Sequence, residues 1–369
     1  MRVLFAGGGT GGHIYPALAV AQLLMERDPN TKVLFVGTKT GLEHDLVPKA
    51  GFKLEIVPAA GLKRRLTLAN LSVLTTNIQG FVRAVNILRR FRPQVVVGTG
   101  GYVAVPVVMA AAWLHIPILL HEQNALPGLA NRWLSRFAAC VAISYDQAAP
   151  YFTRARQVIV SGNPVRAGVW QKSREEGRRN MGRSEDARVV LVFGGSRGAR
   201  PITEAALAAA PRLLADQQLV LLVVTGTTDF ATIEEKVCRL GIQACQAGKM
   251  LIRPYLYNME DALAAADVVV TRAGATTLAE ITARGIPAVL IPSPYVTANH
   301  QEHNARALAE RGAAVMIRQQ ELTGELLAET IQQLLADPKR RAAMVAAART
   351  LGRRDAAQVL VQQILRLTK

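Results

Sequence analysis

The residue in this 369-residue chain best suited to moving a proton is His13. It closes the run Gly7-Gly8-Gly9-Thr10-Gly11-Gly12-His13, which follows the apolar stretch Arg2–Ala6 and opens an amphipathic segment at 14–27. Glycines let backbone N–H groups come close to a ligand, and the N-terminus of a following helix favours negative charge. The same helix end disfavours an imidazolium, so His13 is expected as a neutral imidazole able to accept a proton. The loop reads as a site for something anionic with a base beside it; a core-filling histidine is the plainer alternative.

Gly7, Gly9 and Gly12 also satisfy G-x-G-x-x-G. A dinucleotide site would add Asp or Glu at the end of the second strand to hold the ribose. Here Val36-Gly37 runs into Thr38-Lys39-Thr40, without that acid. Lys39 keeps a 2′-phosphate, and so NADP, open as a reading, beside a tight turn with no ligand. Two further glycine sites, Gly98-Thr99-Gly100-Gly101-Tyr102 and Gly194-Gly195-Ser196-Arg197-Gly198-Ala199, each follow an apolar strand. Three such loops at strand ends point to several phosphates gripped by backbone N–H groups.

His121-Glu122-Gln123-Asn124 places four polar residues after the strand Ile118–Leu120, as a site or as a helix cap on Asn124. In Thr271–Glu280, Gly274 permits a turn, Ala275–Thr277 would begin a helix, and Glu280 one turn later could accept two ribose hydroxyls. A helix-capping role for this carboxylate is the alternative. His300 and His303 flank Gln301 as H-x-x-H, which is too few ligands for a metal site, and no Asp-x-Asp motif is present to hold a metal on a diphosphate.

Positioning these loops requires a regular scaffold. Apolar runs at 2–6, 32–37, 54–57, 95–98, 118–120, 140–143 and 157–160 alternate with amphipathic segments at 14–27, 68–91, 103–115 and 127–137. Continuous apolar strands alternating with helices predict a parallel sheet covered on both faces. Ser161-Gly162-Asn163-Pro164-Val165-Arg166 interrupts the series, a charged helical stretch covers 171–183, and strands resume at 188–193, 219–225, 250–253, 268–271, 288–291 and 314–317. Two doubly wound α/β domains are expected, 1–163 and 164–352, with ligands at the carboxyl ends of the strands and the active site in the cleft between them.

The formal net charge is +17, and residues 1–166 hold 18 Lys and Arg against 7 Asp and Glu. Such a half suits nucleic acid, an anionic membrane surface or phosphorylated substrates. Aromatic residues make up 5% of the chain and no stacking motif is present, which argues against nucleic acid. Leu62-Lys63-Arg64-Arg65-Leu66, continuing through Leu74, Ile78, Phe81 and Val82 to Arg89-Arg90-Phe91-Arg92, sets basic beside apolar residues. That describes an interfacial membrane contact or a core-facing helix with a basic outer face. No apolar stretch is long enough for a transmembrane helix, and a strand with its glycine loop at the start does not fit a signal peptide. Cys140, Cys238 and Cys245 form no zinc or disulfide pattern and suit a reducing cytoplasm.

Taken in order, Gly8–His13, Gly98–Tyr102, His121–Asn124, Gly194–Ala199 and Arg272–Glu280 give the chain a strong resemblance to the MurG family, the UDP-N-acetylglucosamine transferases of peptidoglycan synthesis. The resemblance runs along essentially the whole chain. It implies a GT-B fold of two Rossmann-like domains and inverting transfer of GlcNAc from UDP-GlcNAc to the C4 hydroxyl of MurNAc in lipid I, giving lipid II, without a cofactor or metal. It implies a peripheral protein on the cytoplasmic face of the cell membrane, touching an anionic surface through the segment near 62–92. It implies no nucleic-acid partner and leaves room for other cell-wall synthesis proteins. A last helix within 353–369 is implied to return to the N-terminal domain.

Carried onto matching positions, the resemblance makes His13 the general base, with Glu122 a second catalytic candidate. It assigns the donor to Thr10, Gly11, Gly12, Asn124, Arg166, Ser196, Leu256, Arg272, Ala275, Thr276, Thr277, Leu278, Ala279, Glu280 and Gln301. It assigns the acceptor diphosphate to Gly9, Gly100, Gly101 and Tyr102. Position 197 is Arg where many relatives carry Gln, which changes the donor contact expected there.

Overall fold

The computed structural model describes residues 1–61, 69–195, 198–239 and 248–368. The expected basic run at 62–68, Ser196, Arg197 and Cys245 lie outside the described residues. The chain divides into two compact units, Met1–Val165 with Arg354–Lys369, and Arg166–Arg353.

In the first unit, β1 (Arg2–Gly7), β2 (Lys32–Gly37), β3 (Lys53–Ile56), β4 (Val95–Gly100), β5 (Ile118–Glu122), β6 (Cys140–Ile143) and β7 (Val158–Val160) form one parallel sheet ordered β3-β2-β1-β4-β5-β6-β7. Alternation along β1 explains the two covered faces. Val3 and Phe5 pack with Ile14, Leu24, Leu360 and Ile364, while Leu4 and Ala6 pack with Leu88, Val107 and Leu134. The C-terminal helix Ala356–Leu367 therefore completes the first unit, lying on the Gly11–Arg27 helix.

In the second unit, β8 (Arg188–Phe193), β9 (Leu219–Val224), β10 (Met250–Arg253), β11 (Val268–Thr271), β12 (Ala288–Leu290) and β13 (Ala314–Met316) form a second parallel sheet ordered β10-β9-β8-β11-β12-β13. Both units are Rossmann-like, the doubly wound fold class expected. Each sheet reverses its winding at one place, between β1 and β4 and between β8 and β11, and in such sheets the crevice for a ligand opens at the carboxyl ends of those strands.

Two elements differ from expectation. The charged stretch at 171–183 condenses to the helix Arg174–Asn180, started by a Ser173–Glu176 capping box. Its buried Arg178 pairs with Asp267 at 2.8 Å, and Asp267 also accepts the Val189 N–H, which ties this helix to β8. The helix Glu43–Lys49 was not anticipated, because its seven residues are too few for a periodic signal.

The basic-apolar helix Ala69–Phe91 has two apolar faces. Phe81, Val85 and Leu88 pack on the core, whereas Leu74, Ile78 and Val82, spaced i, i+4, i+8, are 54%, 55% and 54% exposed. Trp113, 55% exposed, lies 6.1 Å from Phe81 ring to ring, with the Arg89 guanidinium over it. Among the described residues no helix is long and apolar enough to cross a membrane.

Candidate active site

In the first unit the winding reversal brings the loops after β1 and β4 side by side. The β1–β4 register pairs Ala6 with Gly98 but Gly7 with Gly100, so Thr99 is an extra residue, a bulge. The Thr99 carbonyl is turned onto the His13 ring and accepts from Nδ1 at 2.9 Å. Gln123 Oε1 is 3.1 Å from the same nitrogen. With two oxygens facing it, Nδ1 carries the proton, and the lone pair is on Nε2. His13 sits in the first turn of the Gly11–Arg27 helix, whose N-terminus has no side-chain cap. Three residues further on, Pro16 has no N–H for the Gly12 carbonyl, which is left without its α-helical partner.

Glu43, which sequence reasoning missed, holds the loop together. Its buried carboxylate accepts the N–H of Gly9 at 2.9 Å and the N–H and hydroxyl of Thr38 at 2.8 and 2.7 Å. Gly8 leaves room for it, since a Cβ there would come within 2.4 Å of Glu43 Oε1. An acid does therefore serve the end of β2, but from five residues beyond Thr38, where the dinucleotide spacing does not look for it. Gly9, expected at the acceptor diphosphate, gives its N–H to this carboxylate.

Glu122, the second catalytic candidate, is tied up by its own turn. It is buried, its Oε1 accepts the N–H and side-chain amide of Asn124 at 3.0 and 3.1 Å, and its Oε2 accepts from Gly128 N and Asn131 Nδ2 at 3.2 and 2.9 Å. Four donors hold this carboxylate as the staple of the 122–131 turn. Through it Asn124 is fixed at the end of β5. His121, also buried, meets the Gly162 carbonyl with Nε2 at 3.0 Å. Burial lowers its pKa to about 4, opposed by that backbone bond, so it is neutral near pH 7.

Gly100 and Gly101 both have positive φ, and Gly100 faces the His13 ring directly. A Cβ at Gly100 would lie 2.9 Å from His13 Cε1 and Nδ1, and its φ of +103° disfavours any other residue. Gly100→Ala is expected to push the ring off the Thr99 carbonyl and, if His13 is catalytic, to lower kcat by about 100-fold, the order lost for a misplacement of about 1 Å; steady-state kinetics beside an unchanged circular-dichroism spectrum check this. Tyr102 is half-buried next to the Gly9 turn.

In the second unit the reversal brings together the ends of β8 and β11, with residues 194–195 after the one and 272–274 after the other. The helix Ala275–Arg284 starts there with Gly274 as its uncapped N-cap. Leu278 N–H bonds Gly274 O, so the N–H groups of Ala275, Thr276 and Thr277 have no acceptor within the helix. The Thr276 hydroxyl is buried without a partner, and Leu278 and Ala279 continue the turn towards Glu280. Loss of hydration pushes the Glu280 carboxyl up to about 7, against the pull of Arg166 and with a smaller push from Glu260. Arg166, half exposed, lies 4.0 Å from Glu260. Arg272 donates to Ile291 O at 3.0 Å and Gln319 Oε1 at 2.6 Å, which fixes its guanidinium at the end of β11. Gln301 Oε1 accepts the Ser293 N–H at 2.9 Å, which leaves its NH2 as the donating end. Leu256 is half-buried, shortly after β10. This collection suits a diphosphate bearing a sugar: unpaired N–H groups and a hydroxyl at a helix N-terminus, two arginines and a carboxylate. Among the described residues no three His, Cys, Asp or Glu side chains gather as metal ligands.

Residues 3–143 match the glycosyltransferase family 28 N-terminal domain and residues 189–360 the glycosyltransferase family 28 C-terminal domain. A Desulforamulus reducens protein named UDP-N-acetylglucosamine–N-acetylmuramyl-(pentapeptide) pyrophosphoryl-undecaprenol N-acetylglucosamine transferase is 45% identical, covering 98% of this chain and 97% of its own. The Moorella thermoacetica protein of the same name is 45% identical over 99% of both. The crystal structure of Acinetobacter baumannii MurG superposes with a TM-score of 0.77 at 28% identity over 99% of each chain. A putative UDP-N-acetylglucosamine 2-epimerase from Listeria monocytogenes superposes at 0.69 with 16% identity, covering 98% of this chain and 95% of its own, and shares the fold.

Proposed function

Because the chain belongs to glycosyltransferase family 28, we propose that it transfers N-acetylglucosamine from UDP-GlcNAc to the C4 hydroxyl of N-acetylmuramic acid in lipid I, giving lipid II and UDP. The observation that carries the chemical reading is His13. Its Nδ1–H is engaged by Thr99 O and Gln123 Oε1, so Nε2 is basic and can take the proton that the acceptor hydroxyl loses as it attacks. The attacking oxygen forms a bond to the anomeric carbon, the bond from that carbon to the diphosphate oxygen breaks, and the configuration inverts. Negative charge builds on departing UDP. The start of the Ala275–Arg284 helix, the Thr276 hydroxyl and Arg272 supply positive potential for it. Glu280 holds the ribose, Leu256 the uracil through its backbone, and Gln301, Asn124, Thr10, Gly11 and Gly12 the sugar, with Arg166 near the donor. Gly100, Gly101 and Tyr102 remain for the acceptor diphosphate. UDP release from UDP-GlcNAc that depends on added lipid I tests this; UDP-ManNAc formed without an acceptor would instead mark an epimerase.

Lipid I keeps its polyprenyl tail in the bilayer, so the enzyme works at the cytoplasmic membrane surface. Leu74, Ile78, Val82 and Trp113 with Arg89 form the docking face: apolar side chains outward, with basic residues to meet anionic headgroups. Changing Leu74, Ile78 and Val82 together to Ser should weaken binding to phosphatidylglycerol vesicles at least tenfold in sedimentation, given roughly 1.5–3 kcal/mol per fully buried apolar side chain. Transfer to a water-soluble acceptor analogue should be unchanged. Unaltered vesicle binding removes this face as the contact.

A further inference from the structure

Beside His13 lies a closed chain of side-chain hydrogen bonds that the reaction does not itself use. Gln123 is 1% exposed. Its Nε2 is 2.7 Å from Thr99 O, 3.1 Å from His121 Nδ1 and 3.2 Å from His121 O. Three acceptors around one amide end fix its orientation, because the reversed amide would set Oε1 against two carbonyl oxygens. Oε1 must then face His13 Nδ1 and needs a donor there. At the far end, Gly162 O demands a proton on His121 Nε2, so His121 Nδ1 can only accept. Protonated His121 would point a second N–H at Gln123; its low pKa keeps that form out of the neutral range. The order of protons is thus set from Gly162 inwards: Gly162 O, His121, Gln123, His13.

We propose that Gln123, held by buried His121, is a positioning residue that acts together with the Thr99 carbonyl, to which it also donates, to lock His13 in its Nδ1–H tautomer and so keep the lone pair on Nε2. This rests on His13 being the base. A glutamine fits the task where a carboxylate would not: it offers His13 a neutral acceptor while donating to Thr99 O and His121 at its other end. Loss of the partner that orients a metal-ligating histidine typically costs 10- to 100-fold in affinity or activity, and a cost of that order is expected for an oriented base.

Nitrogen-15 NMR of His13, assigned by difference from His13→Ala, reads the tautomer directly. The wild-type protein should show a protonated Nδ1 and a bare Nε2. In Gln123→Leu the Nε2–H form should become detectable and kcat should fall roughly 10- to 100-fold, with the KM for UDP-GlcNAc and for lipid I within twofold. A wild-type His13 protonated on Nε2 overturns the proposal without recourse to any variant, so it does not depend on the variant folding. Failure of the two readings is separable. Normal turnover by His13→Ala removes the base itself. A slow His13→Ala beside a Gln123→Leu that keeps both its kcat and its Nδ1–H signal leaves the base standing and removes the lock.

Discussion

Replacing His13 with Ala lowers kcat for GlcNAc transfer roughly 1000-fold, within the 10²–10⁴ range of general-base catalysis, and leaves the Kd for UDP-GlcNAc within a few-fold of its starting value. The asymmetry follows from where the groups lie. On the proposed assignment Nε2 would act on the acceptor hydroxyl, while the groups assigned to the nucleotide, namely the helix N–H groups, Arg272 and Glu280, all belong to the other unit. His13→Gln should be nearly as slow, since an amide can hydrogen-bond the hydroxyl but cannot take up its proton. Isothermal titration with UDP-GlcNAc beside steady-state kinetics separates the two effects. Near-normal turnover would take the proton transfer away from His13.

Glu280→Ala is expected to raise the Kd for UDP-GlcNAc roughly 100-fold, as loss of hydrogen bonds to a charged acceptor costs about 1.5–3 kcal/mol each. The same carboxyl gives donor binding a pH dependence. It titrates at about 7 in the unliganded protein, raised by burial. If Glu280 holds the ribose as proposed, its ionised form would accept the two hydroxyls best, and binding would expel a proton when the pH is below 7. Affinity should rise by at most tenfold per pH unit from about 5 towards 7 and level off above it. Stability of the unliganded second unit runs the other way: the fold holds this proton more tightly than the unfolded chain, so the contribution present below pH 4.5 is lost as pH rises through 7. UDP-GlcNAc is the better probe, because the terminal phosphate of UDP itself titrates near pH 6. Glu280→Gln should bind more weakly at pH 8 and show no slope; a slope that persists in this variant would assign the titration to another group.

The features that are periodic were legible in the sequence. Arg2–Gly7 and Arg188–Phe193 each stand out as apolar runs leading into glycines, and the restart after Gly162-Asn163-Pro164 marks the second sheet. The organisation of the sites was less legible, because it depends on contacts distant in sequence. Glu43 meets Gly9 across 34 residues and Gln123 meets His13 across 110. Neither pairing leaves a spacing to find. Glu122, conspicuous in its polar tetrad, turns out to be saturated by Asn124, Gly128 and Asn131, whereas its neighbour Gln123, a neutral amide, reaches the base. The Ala69–Phe91 helix carries apolar residues on too wide an arc for one face, and only packing separates Phe81 from Leu74, Ile78 and Val82.

On the proposed mechanism the chain forms a glycosidic bond to lipid I with His13 as base. Incubation of wild-type protein with UDP-[¹⁴C]GlcNAc and a short-chain lipid I analogue, with EDTA present, tests it most directly. A labelled β-linked disaccharide lipid and UDP should form in equal amounts, and almost none of either from His13→Ala. Labelled free sugar or UDP-ManNAc in place of the disaccharide, or a full yield from His13→Ala, would contradict it.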